Sequence, residues 1–443
     1  MSNILVSFHN FLFNEFNAKS IPSFYETFIN GLSKAGNNVL VYQFEDFKKN
    51  RRYCSEETRK EIEDFNPNLI ITFNNQFWSN PEYLDIPRVV YDVDSINNYG
   101  DLINMEYLKN KFFFVTNQKA ANEYIVDKIK VNRSRILYIK PFTGVKADSN
   151  INTSLNLAFL GSHWLWDDFK DILNFSKENL DSESRKYALY VLSEFKKNPF
   201  DPLENIYKEH NLVATSHLFF NDLKIASARL SGIKRLRYLT SVADLGLEIR
   251  GIKYNSNLLI AFPEILLSHS NEEVNNLETT QNFFNSSKIA LNTNHYQAIS
   301  GFSWRVCDIL ASNACLVSEY SRDFKSLGFN VPCFTNSYDL RKICKELLKN
   351  SEMRKEITEK CHEIIEKEHR VDNAIDAIES FTHLSLHSKS SGYVKNIVIR
   401  KNEPYTFINK GKALFPKIDK KNLSNIQRLY LRLSRHYFKK IFR

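Results

Sequence analysis

The chain has 443 residues, with 60 Lys and Arg against 51 Asp and Glu, a formal net charge of +9. Hydrophobic residues make up 43% and aromatics 13%, which excludes a disordered or fibrous chain and suits two or three cored domains. Residues 389–443 hold 15 Lys and Arg against 2 acids, leaving 1–388 at −4, so the basicity belongs to a tail and no specific nucleic-acid partner is expected.

In chain order, Ile4–Phe8 reads as a strand. Pro22–Lys34 reads as a helix, with Pro near its first turn and Gly36 just past its end. Val39–Phe44 is a second strand, and Ser55–Phe65 a helix capped by Ser55 with acids following. Leu69–Phe73, Arg88–Tyr91 and Phe112–Val115 are buried-type strands, followed by a helix at Gln118–Ile129 and a strand at Ile136–Ile139. Such alternation predicts a parallel sheet covered on both faces. The polar stretch Pro141–Asn152 reads as an interdomain linker. A second alternating series starts with strand Leu155–Leu160 and helices through 167–243. It continues with strand Leu247–Arg250, helix Leu277–Phe284, strand Lys288–Asn292, helix Trp304–Ala311 and strand Cys315–Ser318. Helical patterns then run from Tyr338 to about Phe381.

The expected division is therefore 1–150, 151–385 and a basic tail, 386–443, with ligands at the carboxyl ends of the strands. The six cysteines form no C-x-x-C pair, which points away from zinc ribbons and disulfide frameworks and toward a reducing, cytoplasmic setting. The N-terminus has neither a basic n-region nor a sustained apolar h-region, so no signal peptide is expected. No stretch approaches the length of a membrane span.

The most informative segment is Lys288-Ile-Ala-Leu-Asn-Thr-Asn294-His295, then Gly301-Phe-Ser-Trp-Arg305-Val-Cys-Asp308-Ile-Leu-Ala311, then Cys315-Leu-Val-Ser-Glu319. It reads strand, polar loop, helix, strand. Arg305 and Asp308 are three apart and share a helical face. An Arg near a helix start suits a diphosphate, and a carboxylate one turn on suits a ribose diol. Spacing alone favours the plainer reading, a solvent-facing ion pair on an ordinary helix.

This stretch resembles the signature of bacterial glycosyltransferases of the group 1 type, in particular the spore-maturation CgeB-like branch. The likeness rests on Ser287-Lys-Ile-Ala-Leu-Asn292, Gly301, Arg305, the acid Asp308 and Ala311, and extends to Asn156-Leu-Ala-Phe-Leu-Gly-Ser162 and Leu247-Glu-Ile-Arg-Gly251. It covers about 151–384, including the closing helical patterns 339–349 and 352–369.

The resemblance implies a GT-B fold: α/β, two doubly wound Rossmann-like domains facing a cleft. It implies a nucleotide-sugar donor in the second domain and a glycan or lipid-linked acceptor at the first. The setting it implies is bacterial capsule or lipopolysaccharide synthesis on the cytoplasmic face of the inner membrane. By the same resemblance Asp308 contacts the donor ribose. In many related retaining enzymes a second Glu lies eight positions upstream, where this chain has Ser300, and Asn313 stands where Gly is usual. Stereochemistry stays open, and a catalytically degenerate scaffold used for binding or assembly is the alternative.

Gly161-Ser162-His163 follows a strand, where Gly lets backbone approach a phosphate and Ser and His can donate to it. Arg250 and Lys253 flank Gly251 and read equally as neutralising a diphosphate leaving group or as solvated charges. On the first domain, Asp92 or Asp94, at the end of a strand, is the first choice for a general base and His9 the second. Asp92-x-Asp94 imitates a metal-binding pair but sits in the wrong domain relative to the donor signature, so neither metal nor cofactor is expected. In 424–443, Ile426, Leu429, Tyr430, Leu433, Tyr437 and Ile441 form an apolar stripe, with Arg428, Arg432, Arg435, Lys439 and Arg443 away from it. The stripe suits an anionic membrane surface, with docking on the protein's own acidic body as the other reading.

Overall fold

The computed structural model describes residues 2–9, 21–44, 56–74, 86–93, 112–126, 130–161, 231–251 save 233, 262–294 save 271, and 301–398 save 302. The expected elements at Ser55, Asp94, Ser162, His163, Lys253 and Ser300, the helices through 162–230 and the tail stripe at 424–443 lie outside these residues.

The first unit runs β1 (Asn3–His9), α1 (Ser23–Lys34), β2 (Asn38–Phe44), α2 (Glu56–Phe65), β3 (Leu69–Phe73), β4 (Arg88–Asp92), β5 (Phe112–Thr116), α3 (Lys119–Tyr124) and β6 (Ile136–Tyr138). Pro22 stands immediately before α1, where its missing N–H costs nothing. The α3 helix continues as a π turn at 125–126, and 127–129 of the expected helix lie outside the described residues. The second unit runs β7 (Leu155–Leu160), β8 (Leu247–Arg250), α4 (Pro263–Ser268), α5 (Leu277–Asn285), β9 (Ser287–Asn292), α6 (Trp304–Leu310), β10 (Cys315–Glu319), α7 (Asp323–Ser326), β11 (Cys333–Phe334), α8 (Ser337–Lys349) and α9 (Ser351–Glu368). The helical run expected to reach Phe381 is thus broken: after α9 comes α10 (Val371–Thr382), then β12 (Val394–Val398).

Both sheets are wholly parallel, ordered β12-β2-β1-β3-β4-β5-β6 and β11-β10-β9-β7-β8. Strands buried on both faces need continuous apolar runs, and β3 and β4 are buried at every residue. Each order reverses beside its first strand, between β1 and β3 in one sheet and between β7 and β9 in the other. Such a reversal leaves a crevice at the strand carboxyl ends where no crossing connection fills the space.

The expected boundary at 385 needs correction. Ala374, Ile375, Ile378 and Leu386 are buried in the first core with Ile4, Phe28 and Val39, and β12 pairs with β2 from Val394↔Val39 to Val398↔Gln43. The chain therefore crosses twice between units, through the linker beginning near Ile139 and back at 369–371. The crossings are tied together. The Thr143 N–H donates to the His369 carbonyl at 3.0 Å, His369 Nδ1 to the Pro141 carbonyl at 2.6 Å, and Arg370 Nη1 to the Val145 carbonyl at 2.5 Å. Among the described residues no helix is long and apolar enough to cross a membrane.

Candidate functional site

At the β7/β9 reversal the sheet ends in Gly161 on one strand and Thr293-Asn294 on the other. Gly161 has φ +151°, and a β-carbon there would lie 2.9 Å from Arg305 Nη2. Arg305, in the first turn of α6, is thus laid directly over the Gly161 backbone, a fit that only glycine permits. A second arginine converges on the same place. Arg235, on the helical stretch 234–240, is buried, and its Nε donates to Thr293 Oγ1 at 2.7 Å. The Arg235 and Arg305 guanidinium carbons lie 5.5 and 5.6 Å from the Phe159 ring of β7, within cation–π range.

The third cation is Lys234, whose Nζ donates to Glu319 Oε1 at 2.6 Å. Glu319, the last residue of β10, has no exposed surface, and its Oε2 accepts the Asn294 N–H at 2.9 Å. The Asn294 side chain donates to the Tyr320 carbonyl at 2.8 Å. Glu319 thereby fixes the loop after β9 and the position of Lys234 together. Lys234, Arg235, Thr293 and Glu319 were not among the expected site residues. An acid ending a buried apolar strand, Cys315-Leu-Val-Ser-Glu319, is the signal that points to them, because a buried carboxylate needs a cation and a donor.

Several donor-side expectations change. The Gly161 N–H donates to the Arg250 carbonyl at 3.0 Å, so this amide is engaged within the sheet end. Arg250 pairs with Glu248 at 2.5 Å and Glu272 at 2.7 Å and lies 4.7 Å over the Phe283 ring, so its charge is matched locally, away from a leaving group. Gly301 has φ +76° and donates its N–H to the Asp323 carboxylate, while a β-carbon there would meet the Asn117 carbonyl at 2.8 Å. Asn117 follows β5, so the loop before α6 touches the carboxyl end of the first sheet. Asn313, where the resemblance has Gly, donates its side-chain amide to the Asp148 carbonyl at 2.6 Å and takes no left-handed conformation. The substitution ties α6 to the linker.

Asp308 is the largest departure. It is buried, at 3% exposure, with its two oxygens on first-unit and linker hydroxyls: Thr143 Oγ1 donates to Oδ1 at 2.5 Å and Ser23 Oγ to Oδ2 at 3.2 Å. Each oxygen thus carries one hydroxyl donor from outside α6. Burial pushes its carboxyl up to about 6, against the hydroxyls of Thr143 and Ser23 and the charges of Arg305 and Arg370.

On the first sheet, His9 ends β1 beside the reversal. Asn74, after β3 at φ +52°, accepts the Val93 N–H on Oδ1 at 3.0 Å and holds the turn after β4. Asp92 ends β4, is buried, and pairs in register with Thr116. Asn74, Asp92 and Thr116 lie at the carboxyl ends of β3, β4 and β5, and Lys119 Nζ lies 5.3 Å from the ring of Tyr138 at the end of β6. Among the described residues no group of three or more His, Cys, Asp or Glu could hold a metal ion.

Residues 235–380 match the family model described as glycosyl transferase-like. Among solved structures, the chain is similar to HepE of Anabaena in complex with UDP and glucose, at 11% identity and TM-score 0.46, over 87% of this chain and 100% of that one. It is also similar to a glycosyltransferase from Rickettsia africae, at 10% identity and TM-score 0.44, over 86% and 99% of the two chains. T4 phage BGT in complex with UDP and Mn2+ aligns at 11% identity and TM-score 0.46, again over 86% and 99%. No curated protein matches the sequence.

Proposed function

We propose that the chain is a GT-B glycosyltransferase that moves a sugar from a nucleotide-sugar donor to a hydroxyl acceptor. One observation carries the reading. Arg305 lies over Gly161 at the β7/β9 reversal, inside the matched 235–380 region for Arg305 itself, with Arg235 and Lys234 beside it. A leaving nucleoside diphosphate carries negative charge, and preorganised cations at a strand-end crevice stabilise it as the bond to the sugar breaks. Arg305 and Lys234 hold the diphosphate in this reading. Glu319 keeps Lys234 and Asn294 in place, and the 161–163 loop lines the phosphate side.

The acceptor sits at the carboxyl end of the first sheet. Its hydroxyl oxygen bonds to the anomeric carbon, the bond from that carbon to the diphosphate oxygen breaks, and the hydroxyl proton passes to a carboxylate. Asp92 is our choice for that base, with Asp94 and His9 as its rivals. The acceptor is a glycan or lipid-linked intermediate of bacterial capsule or lipopolysaccharide synthesis. The basic stripe 424–443 brings the enzyme to an anionic inner-membrane surface. A scaffold that binds without transferring is the second reading, favoured by Ser300 and by the buried Asp308.

Purified protein incubated with a panel of nucleotide sugars and short glycan acceptors tests the proposal. Consumption of one donor with formation of a glycosidic product supports transfer. Binding without consumption selects the scaffold reading, and neither binding nor consumption refutes both. Removal of 424–443 should abolish sedimentation with anionic vesicles; unchanged sedimentation contradicts the membrane assignment.

A further inference from the structure

The α6 helix has two dissimilar sides. Arg305 reaches back to β7, over Gly161 and toward Phe159. Trp304 and Asp308 instead engage the first unit. The Trp304 ring stacks on Phe24 of α1 with centroids 5.1 Å apart and planes 26° apart. One turn on, Asp308 takes the hydroxyls of Ser23, also on α1, and of Thr143 in the linker. The same face of α1 continues this contact: Glu26 accepts the Leu277 N–H at the start of α5 at 2.7 Å. Thr143 is in turn held by the return crossing, through its N–H to the His369 carbonyl and its carbonyl to Arg370 Nη1 at 3.4 Å.

Asp308 is therefore the point where α6, α1 and both crossings meet. We infer that Asp308 is a positioning residue that locks α6 to the first unit through Ser23 and Thr143, and so holds Arg305 over Gly161. The inference rests on the donor-site reading only for what Arg305 then does. The lock itself is a matter of geometry. A buried carboxylate with a hydroxyl donor on each oxygen is held from both sides, and breaking it deprives three buried polar groups of their partners at once. Domain separation and disturbance of Arg305 are coupled because one seven-residue helix carries both contacts.

The alternative, Asp308 as a direct ligand of the donor, makes different demands on its neighbours. Calorimetric titration with uridine, guanosine, adenosine and cytidine diphosphates distinguishes the two, using the full chain and the variants Asp308→Asn, Ser23→Ala, Thr143→Val and Asp308→Asn/Thr143→Val. A lock predicts that Thr143→Val and Ser23→Ala each weaken the diphosphate that binds by about five-fold, and that the double variant binds no worse than Asp308→Asn. A ligand role predicts that Thr143→Val and Ser23→Ala leave affinity unchanged, which overturns the inference.

Asp308→Glu adds an independent readout. The longer acid restores a solvent-facing ligand but cannot fit the closed space beside Thr143, so the lock predicts weakened binding and wild-type affinity contradicts it. If no diphosphate binds even the wild type, the donor reading fails on its own. The lock is then judged by thermal midpoints: the losses from Asp308→Asn and Thr143→Val should not add, and additive losses refute it.

Discussion

The carboxyl ends of the two sheets share a topology and differ in the side chains they carry. Each order reverses beside its first strand, and each reversal opens a crevice. At the second sheet the rim holds Lys234, Arg235 and Arg305, with Glu319 buried beneath as their organiser. At the first sheet the described rim holds Asp92, Asn74 and Thr116, with Lys119 over the ring of Tyr138 at the end of β6. In the proposed reading the second crevice takes the anionic leaving group and the first takes the acceptor hydroxyl, with Asp92 as its base. The same fold thus supplies two half-sites, and the side chains at strand ends decide which half is which.

The comparison breaks most visibly at Asp92. Asp92→Asn should lower kcat by roughly 100- to 10,000-fold with donor affinity unchanged, measured by initial rates and calorimetry. A fall in donor affinity instead would place the carboxylate on the wrong side. Arg305→Ala should weaken nucleoside diphosphate binding by roughly 10- to 100-fold, because a charge-assisted contact is lost from a preformed site. Gly161→Ala should cost about 1–3 kcal/mol of stability in chemical denaturation, since the new methyl group meets Arg305 at a φ of +151°.

A smaller effect sharpens the boundary between the halves. Asp308 has a folded-state value of about 6, above its ordinary 3.8, with burial as the main cause. Its contribution to stability is therefore fully present below about 4 and is lost as pH rises through about 6. Other acids, Glu366 and Glu379 among them, are held below their ordinary values by Arg370 and His387 and act in the opposite sense, so the difference between proteins is the informative quantity. Wild type minus Asp308→Asn, followed by denaturation midpoints from pH 4 to 8, should fall across that window. A flat difference contradicts the buried carboxylate. Smallest of all, Arg250→Gln should change donor affinity by less than about two-fold, because the Arg250 charge is matched by Glu248 and Glu272.

Much of this was legible in the chain. Leu69–Phe73 and Leu155–Leu160 read as strands to the residue, because strands of a covered parallel sheet are mostly apolar, with Thr72 and Asn156 as the polar exceptions. Gly161 was singled out by its place after a strand and Arg305 through the resemblance, and the structure sets one over the other. The return of 371–398 to the first sheet was not. An amphipathic helix shows that it has a partner but not which core supplies it, and Val394–Val398 lies in a basic, serine-rich context whose pairing with β2 is remote in sequence. The partners of Asp308 were hidden for a related reason. Three-residue spacing puts Arg305 and Asp308 on neighbouring positions of α6, yet their side chains reach different units because the interface passes between them.

The account turns on the cationic rim of the second sheet. Calorimetric titration of a nucleotide-sugar panel into the full chain and into Arg305→Ala tests it most directly. The prediction is that one nucleotide sugar binds the wild type and is weakened at least 10-fold by the substitution. Equal binding to both proteins, or no binding to either, would contradict it.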